Sequence, residues 1–390
     1  MIKHMHLTNY KKYFRKYSMK ILHIGKYYPP YFGGIEKVNY DIVEGLNMNG
    51  VQTDVLCSNH NKGNAFSEVP YKTYRTHTLK FIASTPLSYS IITTLKKIQD
   101  NYDIIHVHLP NPMANLAIFI TRPKAKIILH WHSDIINQKN LLKLYSPLQA
   151  WLLKRANKIV ITTPTYLEGS DTLKKYKNKI VCIPIGIDNK ELFIDQNTLN
   201  NLKNKYKGYK IIFSLGRLVY YKGFEYLIEA ARSLPNDIII LIAGIGELKE
   251  KLQQQISKHN LQDRVKLLGK IPFKELGAYY QLCDIFCLPS TERSEAFGVV
   301  QIEAMAFGKP IISTSIKGSG VDWVNLNDVS GIIVPPKDTN KLAEAVTALL
   351  TDEEKYQWLS IGAKKRYEEE FTKDKMVNSF KNLYLEILES

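Results

Sequence analysis

The sequence predicts an α/β protein built from two parallel-sheet domains, and three observations carry that reading. The chain has 390 residues, more than one hydrophobic core usually organises. Apolar runs of strand length recur along it, separated by segments of helical period, which is the alternation of βαβ units. Between Asn189 and Lys207 the composition turns polar and rich in Lys and Asn, the shift expected at a linker region. A hydrophobic fraction of 45% is ample for two cores.

Charge is unevenly divided. Residues 1–200 hold 27 Lys and Arg against 13 Asp and Glu, a net of +14, and residues 201–390 hold 26 against 24, a net of +2. An anionic membrane leaflet and nucleic acid both suit such a surface. The chain has no helix-turn-helix, zinc-finger or RNA-binding aromatic signature, so an anionic membrane surface is the better reading and no nucleic-acid partner is expected. Cys57, Cys182, Cys283 and Cys287 form no CxxC pair and no Cys/His cluster, which argues against zinc and disulfide frameworks and fits a reducing compartment. There is no apolar run of about 18 residues and no apolar core behind the basic N-terminus, so neither a membrane span nor a signal peptide is expected. The expected location is cytoplasmic, at the inner face of the cell membrane.

Taken in order, residues 1–18 read as a basic, aromatic extension, either a membrane contact or the product of a start codon placed too early. The first domain is expected over residues 19–188. It opens with a strand at Ile21–Ile24, followed by a loop holding Pro29-Pro30 and Gly33-Gly34, then an amphipathic helix over Glu36–Leu46. Gly33 and Gly34 allow a ligand to approach the backbone closely, although a plain turn uses the same residues. No GxGxxG follows the strand, which argues against a dinucleotide oxidoreductase. Further strands are expected at Gln52–Ser58, Ile104–His108, Lys126–Trp131, Ile159–Thr163 and Ile180–Ile185. His106, His108, His130 and His132 fall at strand ends, where histidines are usually structural. Asn140–Lys158 sets leucines among Lys143, Lys154, Arg155 and Lys158, a pattern for covering the sheet or lying on a membrane. Pro147 argues for two shorter pieces there rather than one straight helix.

The second domain is expected over residues 189–372. Its first strand, Ile211–Leu215, runs into the loop from Gly216 to Gly223 and a helix from Phe224, the first βα turn of a Rossmann-like unit. Arg217 offers a planar donor fork and Lys222 a point charge on that loop, suited to a diphosphate at the carboxyl end of a strand. Two solvated cations are the alternative; as a phosphate site, either residue changed to Ala is expected to weaken diphosphate binding while leaving thermal stability nearly unchanged. Gly244-Ile245-Gly246 turns from the strand Asp237–Gly244 into a helix. The strand at Ile285–Leu288 leads through Glu295-Ala296-Phe297-Gly298 into a helix beginning at Val299. Glu295 lies in the loop and Glu303 on the helix, with seven residues between them. Free amides of Phe297, Gly298 and Val299 at a helix start favour phosphate. A loop carboxylate accepts from sugar hydroxyls, and one on the helix can clamp a ribose diol. Solvated glutamates are the commoner case, but Glu303 stands among apolar positions of a helix expected to be buried, where an unpaired charge is costly. A last helix is expected over residues 373–390.

Glu295 to Pro310, with the following Ile311-Ile312-Ser313 strand, resembles the signature of the retaining family 4 glycosyltransferases. The resemblance spans the chain from about Met19 to the end. It implies the GT-B architecture: two Rossmann-like domains facing across a cleft, the C-terminal helix crossing back to the first. It implies a nucleotide-diphosphate sugar donor, GDP- or UDP-linked, and a saccharide or polyprenyl-diphosphate-linked acceptor in surface-polysaccharide or O-antigen synthesis. Arg217 and Lys222 become the diphosphate clamp, Glu295 the sugar ligand, Glu303 the ribose ligand and His132 a residue facing the donor sugar. Gly33, Gly34, Gly216 and Gly244 become backbone positions lining the nucleotide site. The chain holds no Asp-x-Asp, so no metal cofactor is expected. A GT-B-fold nucleotide-sugar epimerase shares these features. A non-enzymatic membrane or nucleic-acid adaptor explains the charge but leaves the carboxylate and glycine pattern idle.

Overall fold

A computed structural model of the chain describes residues 19–31, 33–59, 69–82, 85–134 and 139–390. The chain divides into two compact units. The first takes the chain up to Thr162 together with Ser170–Ile185 and Lys373–Ser390, and the second takes Thr163–Gly169 and Gly186–Thr372. The basic extension and its Lys11, Lys12, Arg15 and Lys16 lie outside the described residues, as does the side chain of Lys143.

The first unit is a parallel sheet of seven strands. In chain order they are β1 (Lys20–Ile24), β2 (Gln52–Ser58), β3 (Thr73–Thr76), β6 (Ile104–Leu109), β7 (Lys126–Trp131), β8 (Lys158–Ile161) and β9 (Ile180–Cys182). A separate antiparallel hairpin pairs β4 (Lys80–Ile82) with β5 (Thr85–Leu87). The spatial order is β3-β2-β1-β6-β7-β8-β9. The chain therefore winds one way from β1 and then restarts on its other side at β6, leaving a switch point between those strands. The inner strands are buried on both faces, which is why they read as unbroken apolar runs. Three helices matter below: α1 (Gly34–Met48), α2 (Pro112–Thr121) and α3 (Lys139–Arg155).

The C-terminal helix, Lys373–Glu389, belongs to this first unit. It packs on α1 at Gly45, where a Cβ would overlap the Val377 side chain. Lys373 reaches the buried Asp41 at 3.3 Å. Its buried Phe380 and Tyr384 lie against the histidines of the sheet.

The second unit is a six-stranded parallel sheet of β10 (Lys210–Leu215), β11 (Ile238–Ala243), β12 (Val265–Gly269), β13 (Ile285–Leu288), β14 (Ile311–Thr314) and β15 (Gly331–Val334). Its order is β12-β11-β10-β13-β14-β15, so its switch point lies between β10 and β13. Ile212, Ile240, Ile242, Ile285 and Ile312 meet Leu227, Ile228 and Val346 of the flanking helices in one core.

Three expectations change. The segment around Pro147 is one continuous helix: proline removes a single amide donor, and the rungs on either side carry the helix across that gap. Residues 189–207 are not a plain linker. Gln196–Lys205 is a helix capped by the Asp195 side chain, and Leu199 and Leu202, three residues apart, are buried on one face. The strand expected to reach Ile185 stops at Cys182, just before Pro184, which has no amide to continue a ladder.

Candidate functional site

In an open α/β sheet the loops leaving two strands that flank a switch point diverge, and a ligand fits between them. In the second unit these are the loop after β10, which carries Arg217 and Lys222, and the loop after β13, which carries Glu295. They are pressed together. Gly223 sits at φ +67, and a Cβ there would overlap the Pro289 carbonyl. A Cβ on Gly216 would lie 3.0 Å from Cε of Lys222, so the glycine makes room for the lysine stem. Gly244, at φ +143, packs against the Gly216 carbonyl with no space for a side chain. Glycine at 216 and 244 thus serves loop packing as well as any ligand.

The close packing brings Lys222 and Glu295 into one ion pair, Nζ to Oε2 at 2.5 Å. Each residue is only 8% exposed. Ser290, at the end of β13, donates its hydroxyl to the same Oε2 at 2.9 Å, and Ser319 donates to the Glu295 carbonyl. The carboxylate is therefore oriented and shielded. Arg217 is different: exposed at the rim, it donates to the Tyr221 hydroxyl at 3.0 Å. The two cations expected to act alike are one buried ion-pair member and one accessible guanidinium.

The loop after β13 ends at Gly298, at φ +77, which starts α4 (Val299–Ala306). Its first helical-type bond runs from the Gln301 amide to the Gly298 carbonyl at 2.9 Å, so the amides of Phe297, Gly298 and Val299 precede the hydrogen-bonded turn. Glu303 lies half-buried on α4 and accepts from the Tyr280 hydroxyl at 2.5 Å. Burial and the adjacent carboxylate push the Tyr280 phenol far above its usual range, so it stays a donor and fixes Glu303 as an acceptor.

The first unit carries a second cluster. Parallel register sets His23 beside His106 and His108 beside His130, and His132 follows two residues beyond His130, so five imidazoles share one sheet face. His23 and His106 stack at 4.3 Å between ring centroids, and His130 and His132 at 4.0 Å. His23 Nδ1 lies 3.0 Å from His108 Nε2, and His108 Nδ1 lies 2.9 Å from His132 Nε2. Tyr384 Oη lies 3.1 Å from His23 Nε2 and 2.6 Å from His106 Nδ1. Burial lowers the pKa of His23 and of His132 to about 3. Burial and the neighbouring rings hold His106, His108 and His130 well below the ordinary histidine value. All five are neutral at physiological pH. Two triads, His23–His106–His108 and His108–His130–His132, bring ring nitrogens within 4.8 Å of one another. Both nitrogens of His108 lie in hydrogen bonds to neighbouring rings, so these imidazoles form a hydrogen-bonded stack.

Lys222, Glu295, Arg217, Gly216, Phe297, Gly298, Val299 and Glu303 thus fall in the second unit on the loops and helix at its switch point, and Gly244 lies beside them after β11. Gly33, Gly34 and His132 belong to the first. Gly34 starts α1 with nothing within 4 Å of where a Cβ would be, whereas a Cβ on Gly33 would meet the Glu36 carboxylate. Sequence reasoning missed four supporting residues: Ser290, Tyr280, Tyr221 and His23. Ser290 stood where the β13 apolar run breaks, five residues before Glu295, a usable signal; the other three carried none.

The chain matches the family described as Glycosyltransferase Family 4 over residues 32–191, and that described as Glycosyl transferases group 1 over residues 195–366. It is 35% identical over 376 residues to the O-antigen chain mannosyltransferase C of Escherichia coli, covering 95% of this chain and 100% of that protein. It is 31% identical over 360 residues to the D-rhamnosyltransferase WbpZ of Pseudomonas aeruginosa, covering 91% and 92% respectively. Among solved structures it is similar to the sucrose-phosphate synthase of Thermosynechococcus elongatus, with a TM-score of 0.77, 20% identity and coverage of 95% and 100%. It is also similar to Anabaena Alr3699/HepE in complex with UDP-glucose, with a TM-score of 0.74, 18% identity and coverage of 94% and 99%.

Proposed function

Because this chain belongs to the family 4 glycosyltransferases and has the GT-B fold, we propose that it moves a hexose from a nucleotide-diphosphate sugar to a saccharide acceptor in O-antigen or related surface-polysaccharide assembly, with retention of configuration. The observation that carries this reading is the buried Lys222–Glu295 pair, held by Ser290 at the switch point of the second unit. Such a pair keeps a lysine and a carboxylate in fixed orientation before substrate arrives, which is the preorganisation that transfer requires. Arg217 and Lys222, with the amides at the start of α4, place positive potential where the departing diphosphate gains charge. Glu295 accepts from hydroxyls of the transferred sugar and Glu303 from the ribose; no nucleophile role falls to Glu295. His132, Gly33 and Gly34 serve the same reaction from the first unit.

The donor is a GDP- or UDP-sugar. The names of the mannosyl- and rhamnosyltransferase relatives and the UDP-glucose complex of the HepE neighbour support that class. The acceptor is a saccharide carried on a polyprenyl diphosphate, met at an anionic membrane surface. A basic, aromatic patch of the first unit supports this contact. Arg122 lies over the rings of Phe119 and Trp151, at 4.3 and 4.4 Å, beside a groove of about 320 Å³ that Lys154 and Arg155 also line. Ile120 next to it is 53% exposed. Among the described residues no helix is long and apolar enough to cross a membrane.

The test combines thermal shifts with a panel of nucleoside diphosphates and transfer assays on lipid-linked saccharide, each with and without EDTA. The reading expects a shift with one diphosphate, acceptor-dependent consumption of the matching donor, and activity that survives EDTA. Donor isomerised without acceptor would point to an epimerase. Activity lost to EDTA and restored by Mn²⁺ would overturn the metal-independent mechanism.

A further inference from the structure

We infer that His132 is locked as its Nδ1–H tautomer by a hydrogen-bonded chain through His108 and His23 to Asn39 and Tyr384, so that it meets ligand as a neutral hydrogen-bond donor and not as a base. The ligand half of this statement rests on the reading of His132 as a residue facing the donor sugar. The polarity of the chain does not; it follows from the buried end.

At that end, Asn39 Oδ1 lies 3.0 Å from His23 Nδ1. A carbonyl oxygen only accepts, so His23 Nδ1 carries the proton, and a neutral imidazole then leaves Nε2 bare. The same Nδ1–H points at His108 Nε2, also 3.0 Å away, which must accept. His108 therefore holds its proton on Nδ1 and donates it to His132 Nε2 at 2.9 Å. With Nε2 of His132 accepting, its proton sits on Nδ1, for which no partner is recorded among the described residues.

The Tyr384 contacts extend the same chain. The bare Nε2 of His23 accepts from the Tyr384 hydroxyl, 3.1 Å away. Tyr384 has one proton to give, so its 2.6 Å contact with His106 Nδ1 is a donation from His106. That leaves His106 Nε2 as a bare lone pair, and Nε2 is a buried ring nitrogen of His106 with no partner. The opposite polarity would set a bare His23 Nδ1 against the Asn39 carbonyl oxygen, acceptor against acceptor. His108, His23 and Tyr384 are thus positioning residues for His132, and Tyr384 ties the C-terminal helix to that chain.

The consequence is specific. His132 can stabilise an oxygen of the bound sugar or its phosphates through Nδ1–H, but its only lone pair is used internally, so it does not take the proton of an incoming hydroxyl. The test uses the full chain with ¹⁵N-labelled histidine, the His132 signals being identified by their loss in H132N. The expectation is a protonated Nδ1 and a bare Nε2 between pH 6 and 8. H108Q places its amide where Nε2 was and cannot reach His132, so the His132 signals move toward the Nε2–H form and kcat/KM falls by about tenfold, the worth of one hydrogen bond. H108N places an amide donor where Nδ1–H was, and brings back the tautomer and most of the rate. An Nε2–H signature for His132 in the unaltered protein overturns the chain polarity without any variant having to fold. An unchanged tautomer in H108Q overturns the positioning role. Full turnover in H132A, with the Nδ1–H tautomer observed in the unaltered protein, overturns the ligand contact alone.

Discussion

Lys222→Ala is expected to do two separable things. Read from sequence, Lys222 is a diphosphate clamp whose loss leaves stability nearly unchanged. The structure replaces that with a pair in which both partners are 8% exposed and 2.5 Å apart. Removing the lysine leaves the Glu295 carboxylate buried with, among the described residues, the Ser290 hydroxyl on Oε2. Uncompensated buried charges of this kind cost about 3–5 kcal/mol. The second unit, of roughly 190 residues, unfolds with an entropy of about 0.4 kcal/mol/K, so the low end of that range lowers its Tm by about 7 °C. Glu295→Gln in the Lys222→Ala background removes the stranded charge and restores most of that loss. Independently, the missing ammonium weakens UDP or GDP binding by about 1.5–3 kcal/mol, the worth of a hydrogen bond to a charged group. Thermal unfolding of the two single variants and the double variant, with titration calorimetry of each, measures both effects. A Lys222→Ala protein melting within about 1 °C of the parent, or a double variant no more stable than Lys222→Ala, would show that the pair does not carry the buried charge as argued.

Four further outcomes are expected. Arg217→Ala removes an exposed side chain whose one hydrogen bond among the described residues is to Tyr221, so stability stays within about 0.5 kcal/mol while diphosphate affinity drops; equal affinity in calorimetry would remove Arg217 from the clamp. Tyr280→Phe deletes the donor that orients Glu303 and raises KM for the donor more than it lowers kcat, as steady-state kinetics would show. Acidification destabilises the first unit. Its histidines bind protons when unfolded near pH 6.5 but resist them when folded, with His23 and His132 at about 3. Stability therefore falls as pH drops below 6.5, by up to about 1.4 kcal/mol per pH unit for each such group; denaturant midpoints constant from pH 6.5 to 5 would contradict the buried neutral cluster. Vesicle co-sedimentation should follow anionic lipid content and decline with salt, and Arg122→Glu should weaken it; binding indifferent to lipid charge would leave the Phe119–Arg122–Trp151 patch without that role.

The local grammar of this chain was legible without a structure. Apolar runs bounded by Gly and Pro located most of the strands, because a parallel strand buried on both faces has little choice of residue. The Gly216–Lys222 and Glu295–Glu303 stretches were legible too, since each lies in a βα turn or on the helix after it, where backbone and side-chain needs leave a compact signature. His106, His108, His130 and His132 were legible only as histidines at strand ends; that they stack on one face was not. What no local pattern holds is which strands become neighbours. That Lys222 meets Glu295 follows from β10 lying beside β13 across more than 60 intervening residues. That His23 begins the histidine chain follows from β1 pairing with β6, and that Tyr384 closes it follows from the last helix returning to the first sheet. Strand order is set by the burial of all faces at once, a global free energy to which each segment contributes only a part. Types of residue and their chemistry are written locally; partners separated by hundreds of positions are decided by packing.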